Sequence, residues 1–145
     1  MPPLPMTIES LLPHRKPMLL IDDIIRFDEL SAVTRSVATE AWPLVDTNRI
    51  SGLVLIELVA QTASVNNAWE LIKQEGIEGD RRGWIVAVKR ARLYVDTIAP
   101  GTEIVVATRN GFAFENFREV EGTAHIDDHL AAEITLQVMQ AKTGS

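Results

Sequence analysis

Residues 51–74 read Ser-Gly-Leu-Val-Leu-Ile-Glu-Leu-Val-Ala-Gln-Thr-Ala-Ser-Val-Asn-Asn-Ala-Trp-Glu-Leu-Ile-Lys-Gln, with no Pro at all and no Gly after Gly52. The run is too long for an ordinary strand and predicts one helix over residues 52–74. Ser51 is placed to cap it, because its hydroxyl can accept from the open amides of the first turn. Gly76 is placed to stop it. The first half is apolar nearly all round: Leu53, Val54, Leu55, Ile56, Leu58, Val59 and Ala60. A helix of that kind has to be buried by the remainder of the fold.

Glu57 lies in the middle of that apolar stretch, with Gln61 and Ser64 following at helical spacing. The three make a thin polar line on a greasy rod. An unpaired ionised carboxylate in an apolar site is costly, so the group is paired, kept neutral or set at a pocket. A carboxyl beside a pocket is a usual way to build a general acid or base. The plainer alternative is an exposed helix edge or an ion pair with an Arg.

The 145 residues suit one domain with a real core, spanning 1–145, with an extended lead-in at 1–6 and a tail at 141–145. Three prolines in that lead-in forbid a helix there, and Thr7 and Pro13 bracket one short helical turn at 7–12. Strands are expected at 18–28, 31–39, 84–95, 103–114, 117–126 and 130–140, and a loop at 40–50. Pro100-Gly101, Glu115-Asn116 and Asp127-Asp128 are turn signals. Two strands, one long apolar helix and four strands give an α+β architecture, a curved antiparallel sheet wrapped around a central helix. A single sheet leaves edges to be managed, so a symmetric dimer is expected.

Charge and composition exclude several classes. A net charge of −6 argues against non-specific nucleic-acid binding, which needs a basic surface. The absence of Cys removes disulfides, thiolate nucleophiles and Cys-based metal sites. Glu57 interrupts the longest apolar run, so no membrane span is expected. The first residues lack a basic and apolar signal pattern, which leaves the cytoplasm as the expected compartment.

Several segments together carry a family resemblance. Leu12-Pro13-His14-Arg15-Lys16-Pro17-Met18-Leu19-Leu20-Ile21-Asp22 is similar to the lead segment of the 3-hydroxyacyl-acyl-carrier-protein dehydratases. Gly52-Leu53-Val54-Leu55-Ile56-Glu57-Leu58-Val59-Ala60-Gln61 resembles the start of their central helix. Ala91-Arg92-Leu93 and Pro100-Gly101-Thr102-Glu103-Ile104 resemble their third and fourth strands. The resemblance implies the hot-dog fold. It implies that Glu57 holds the place of the catalytic helix carboxylate, which helps the 3-hydroxyl leave as water. It further implies that the Gly52 amide meets the thioester carbonyl and that Gln61 sits beside the carboxylate, so both count as substrate-binding positions. A helix N-terminus suits that first task, because α-proton abstraction places negative charge on the thioester oxygen.

The chain departs from the family at one point. The family's general base is a His in a Gly-His-Phe-Pro-Gly loop ahead of the helix, whereas Trp42-Pro43-Leu44-Val45-Asp46 holds no His. The resemblance is therefore to a divergent branch, the dehydratase-like proteins of aryl-polyene and related lipid pathways. His14 is the candidate replacement base, and fixing a turn by hydrogen bonds is its structural alternative. Asp46, a carboxylate in the right loop, ranks below it. His125 and His129 flank Asp127-Asp128, a set that could bind a metal but reads as a solvated hairpin tip; no metal and no cofactor is expected.

Arg15, Lys16, Lys89, Arg90 and Arg92 could steer an anionic acyl-carrier protein or coenzyme A, or be ordinary surface charge. Trp42, Trp69, Trp84 and Phe112 could line an acyl tunnel or be plain core. Three functions stay open: a 3-hydroxyacyl-thioester dehydratase using Glu57, a hot-dog acyl thioesterase, and a non-catalytic partner subunit of a dehydratase heterodimer. The expected assembly is a homodimer or larger even oligomer, or such a heterodimer.

Overall fold

The computed structural model describes residues 8, 18–75 and 83–140. The short turn expected at 7–12, the lead-in, Gly76 and the tail lie outside those residues, Ile8 excepted. Strands β1 (Asp23–Phe27) and β2 (Ser31–Val37) come first. Two very short strands, β3 (Val45–Asp46) and β4 (Arg49–Ser51), lead into helix α1 (Val54–Glu75). Then follow β5 (Gly83–Leu93), β6 (Thr97–Ile98), β7 (Glu103–Phe114), β8 (Phe117–Ile126) and β9 (His129–Gln140). Six strands form one antiparallel sheet in the order β1-β2-β7-β8-β9-β5, and β3-β4-β6 form a small second sheet.

The large sheet wraps α1, as the sequence led us to expect. Leu55, Leu58 and Val59 are fully buried on the helix, and Ile104, Val106, Ile134 and Leu136 meet them from the sheet. Burying each such side chain stabilises the fold by about 2 kcal/mol. On β8, a Cβ at Gly122 would stand 2.6 Å from Val59 Cγ1, so only glycine lets the helix lie this close to the sheet.

Three expectations need correction. The strand expected over 18–28 begins only at Asp23. Leu19, Leu20 and Ile21 are all buried in succession, so they cover the helix rather than alternate as sheet residues do. The loop expected at 40–50 holds the β3–β4 hairpin, turned by Thr47 and Asn48 at φ 51° and 60°. Asp46 and Asn48 thus act as hairpin residues. The strand expected over 84–95 ends at Leu93, and the chain then crosses the helix start through residues 94–96 before forming β6.

Candidate active site

The helix start is built by three side-chain and backbone devices. Ser51 Oγ accepts from the amide of Leu53 at 3.2 Å, so the expected cap is present. Leu55 and Ile56 donate back to the carbonyls of Gly52 and Leu53, a tight first turn. Gly52 donates its own amide to the Asp96 carbonyl at 2.8 Å. A Cβ at Gly52 would lie 2.5 Å from the Val95 carbonyl oxygen, so glycine is required there by the chain crossing above it. The Gly52 amide, expected to face a thioester carbonyl, is therefore committed inside the fold in this structure.

Glu57 sits half-buried in the first turn of α1, where the positive end of the helix dipole favours a carboxylate. Gln61, one turn further on, has 0% of its surface exposed. Its Nε2 donates to Glu57 Oε1 at 3.0 Å and to the Met18 carbonyl at 2.6 Å. Its Oε1 accepts from the amide of Leu20 at 2.9 Å. The Leu20 amide can only donate, so the orientation of the Gln61 amide is fixed, and it presents an N–H to Glu57. Gln61 is thus a bracket between the helix carboxylate and the backbone of residues 18–20. Ser64, the third member of the polar line, donates to the Ala60 carbonyl at 2.9 Å and stays on its own helix.

The structure brings Glu57 and Gln61 together. His14, Arg15 and Lys16 lie outside the described residues. Asp46 is exposed in the β3–β4 hairpin and accepts from the Thr47 hydroxyl at 3.1 Å. His125 and His129 are exposed at the β8–β9 turn. Among the described residues no group of three or more His, Cys, Asp or Glu could hold a metal ion. Lys89 pairs with Glu119 at 3.0 Å, while Arg90 and Arg92 are exposed on β5. Trp42 is core, Trp69 packs edge-on to Phe27 at 6.0 Å, and Phe112 is 66% exposed, so these three do not line one tunnel. The side chain of Trp84 lies outside the described residues.

Sequence reasoning missed the partners of Gln61, the backbone groups of Met18 and Leu20. The signal was the unalternating apolar run from Met18 to Ile21, which a strand does not need and a helix-covering segment does.

Comparison with known proteins places this geometry in a family. The profile described as "ApeP-like: ApeP dehydratase" matches residues 6–145. The 3-hydroxyacyl-(acyl-carrier-protein) dehydratase FabZ of Streptococcus equi subsp. zooepidemicus is 31% identical over 141 residues, covering 89% of this chain and 91% of that protein. The FabZ of Wolinella succinogenes is 26% identical over 147 residues, covering 92% and 93%. A chain of the dehydratase heterocomplex ApeI:P from Xenorhabdus doucetiae has the same fold, at TM-score 0.84 and 18% identity, covering 94% of this chain and 92% of that one. No helix among the described residues is long and apolar enough to cross a membrane. With its hot-dog architecture and the Glu57–Gln61 pair at the helix start, the chain belongs to the ApeP-like dehydratase family, among the 3-hydroxyacyl-(acyl-carrier-protein) dehydratase-like proteins.

Proposed function

We propose that this protein removes water from a 3-hydroxyacyl thioester carried on an acyl-carrier protein. The observation that carries the proposal is the Glu57 carboxyl, half-buried on an apolar helix and held at 3.0 Å by a fully buried amide. A general acid or base must be positioned before it can be effective, and Gln61 supplies that positioning. In the elimination a base takes the proton from C2, the C2–H electrons form the C2–C3 double bond, and the 3-hydroxyl leaves with a proton as water. We assign protonation of the leaving hydroxyl to Glu57 and α-proton abstraction to His14. A carrier protein is acidic, and Arg90 and Arg92 on β5 supply local positive charge for it.

The sheet supports an assembly reading as well. Strand β5 ends the large sheet, runs eleven residues and exposes Val86 and Val88. The opposite edge, β1, has five residues and a bulge. A long edge strand that exposes two valines is managed by pairing, so β5 is the proposed dimer seam. The similar fold found in the ApeI:P heterocomplex favours a related second subunit as one occupant.

The test incubates the chain with a 3-hydroxyacyl carrier-protein thioester, alone and with a second dehydratase-like subunit, and follows the acyl group by mass. Loss of water that Glu57→Gln abolishes supports the proposal. Release of free thiol with no loss of water makes the protein a thioesterase. Loss of water only with the second subunit, and undiminished by Glu57→Gln, makes this chain a non-catalytic partner.

A further inference from the structure

The concave face of the sheet holds a second polar cluster, some distance from Glu57. Arg118 on β8 is half-buried and donates from Nη1 to Asn67 Oδ1 at 2.6 Å. Asn67, on α1, is 4% exposed, and Asn110, on β7, is 9% exposed. Asn110 Nδ2 donates to the same Asn67 oxygen at 2.9 Å, and Asn67 Nδ2 donates to the Ala63 carbonyl at 2.8 Å. Asn67 Nδ2 also reaches Asn110 Oδ1 at 3.4 Å. These bonds lock both amides, so the position of the guanidinium is set by the fold.

The charge of that guanidinium is unbalanced among the described residues. No carboxylate among them lies within ion-pair distance of Arg118, and its acceptor is a neutral amide. A guanidinium carries five N–H donors in a planar fork that matches an oxyanion two bonds at a time. Partly burying such a group without an anion is costly, whereas an arriving anion would make charge-assisted bonds in a protected place. Asn67 lies ten residues beyond Glu57, about 15 Å along the helix axis. Ala60 is half-buried on the helix flank between them, and Val138 stands opposite Arg118 in the β8–β9 register. That separation along the helix is one an extended acyl chain or phosphopantetheine arm can span.

We infer that Arg118, oriented by Asn67 and Asn110, binds an oxyanion belonging to the substrate itself. The group is the phosphate of the carrier's phosphopantetheine arm or a carboxylate at the far end of the acyl chain. The inference rests on the thioester reading above for the identity of the ligand, and on the Arg118 geometry alone for the anion site.

The test is calorimetric and needs no turnover. Wild-type protein is titrated with phosphopantetheine against pantetheine, and with a medium-chain α,ω-dicarboxylate against the monocarboxylate of equal length. The expected result is that one of the two anionic ligands binds about tenfold tighter than its uncharged-end counterpart, and that Arg118→Gln removes the difference. The pair that responds identifies the source. In the unmodified protein the Arg118 Nε–Hε resonance should shift with inorganic phosphate, which covers a variant that does not fold. The inference is overturned if neither pair differs, if the difference survives Arg118→Gln, or if that resonance ignores phosphate. Binding without any loss of water from hydroxyacyl substrates would sink the dehydratase reading and leave the anion site standing.

Discussion

Gln61 Nε2 stands 3.0 Å from Glu57 Oε1 and 2.6 Å from the Met18 carbonyl, so one buried amide ties the helix carboxyl to the segment that covers it. Replacing Gln61 by Met keeps its length and removes all three hydrogen bonds. The Met18 carbonyl loses its donor and the Leu20 amide its acceptor, at about 1–3 kcal/mol for each stranded group. The expected loss is about 3 kcal/mol, a fall of roughly 10 °C in Tm by scanning calorimetry for a chain of this size. Turnover should fall further than substrate affinity, because the carboxyl is present but no longer held.

Glu57→Gln separates chemistry from structure. The new amide can still turn an oxygen toward Gln61 Nε2, so the hydrogen bond at 3.0 Å has an equivalent. The group can no longer gain or lose a proton. Removing a general acid or base typically costs about 10²–10⁴-fold in rate, and dehydration of the hydroxyacyl thioester should fall by that much. Dehydration at the wild-type rate would remove Glu57 from the mechanism.

The architecture was legible because its signals are local and redundant. The 103–114 and 117–126 strands match β7 and β8 residue for residue, since alternation and a turn signal at Glu115-Asn116 agree there. The β3–β4 hairpin was not legible, because two- and three-residue strands carry too few positions to show alternation. Which face of β2 points inward was also hidden. Thr34 and Ser36 are buried while Val33 and Arg35 face outward, since Thr62 on the helix offers Thr34 a hydroxyl partner at 2.8 Å. At the site, helical spacing found Glu57 and Gln61, but the backbone partners of Gln61 lie more than forty residues away and leave no periodic trace.

Gly52→Ala tests the crowding at the helix start. The added carbon would meet the Val95 carbonyl oxygen at 2.5 Å and the Asp96 carbonyl oxygen at 3.3 Å, and both are backbone atoms. Neither can rotate away, so residues 94–96 or the first helical turn must shift and the Gly52–Asp96 hydrogen bond must stretch. Overpacking of this kind costs about 1–3 kcal/mol, measurable as a lower urea midpoint with unchanged slope.

Asp28 predicts an acid-dependent loss of stability. Its Oδ1 accepts from the Leu30 amide at 2.8 Å and from the Ser31 amide and hydroxyl at 2.9 and 3.0 Å, tying the β1–β2 turn. The Leu30 amide first, then the Ser31 hydroxyl, holds its carboxyl below the ordinary value of 3.8. A depressed value in the fold means the contribution is complete above 3.8 and is lost as pH falls through the lower folded value. Wild type should therefore exceed Asp28→Ala in denaturation midpoint at neutral pH, with the gap closing only below pH 3.8. Asp28→Asn keeps an acceptor oxygen and should flatten that acid dependence while retaining much of the turn.

Gly122→Ala reports on the helix–sheet spacing. A Cβ there meets Val59 Cγ1 at 2.6 Å and Cγ2 at 2.9 Å, and Val59 is fully buried, so its side chain has nowhere to move. A β-branched side chain on a helix is also confined to nearly one rotamer. The single change should cost about 1–3 kcal/mol. Val59→Ala alone should cost too, by leaving a cavity against the sheet. Together the two should cost less than their sum, because the alanine at 122 fills space that the truncated Val59 vacates. A coupling of about 1 kcal/mol in the double-mutant cycle by chemical denaturation would establish that Gly122 is there to admit Val59; strict additivity would place the two effects in separate parts of the core.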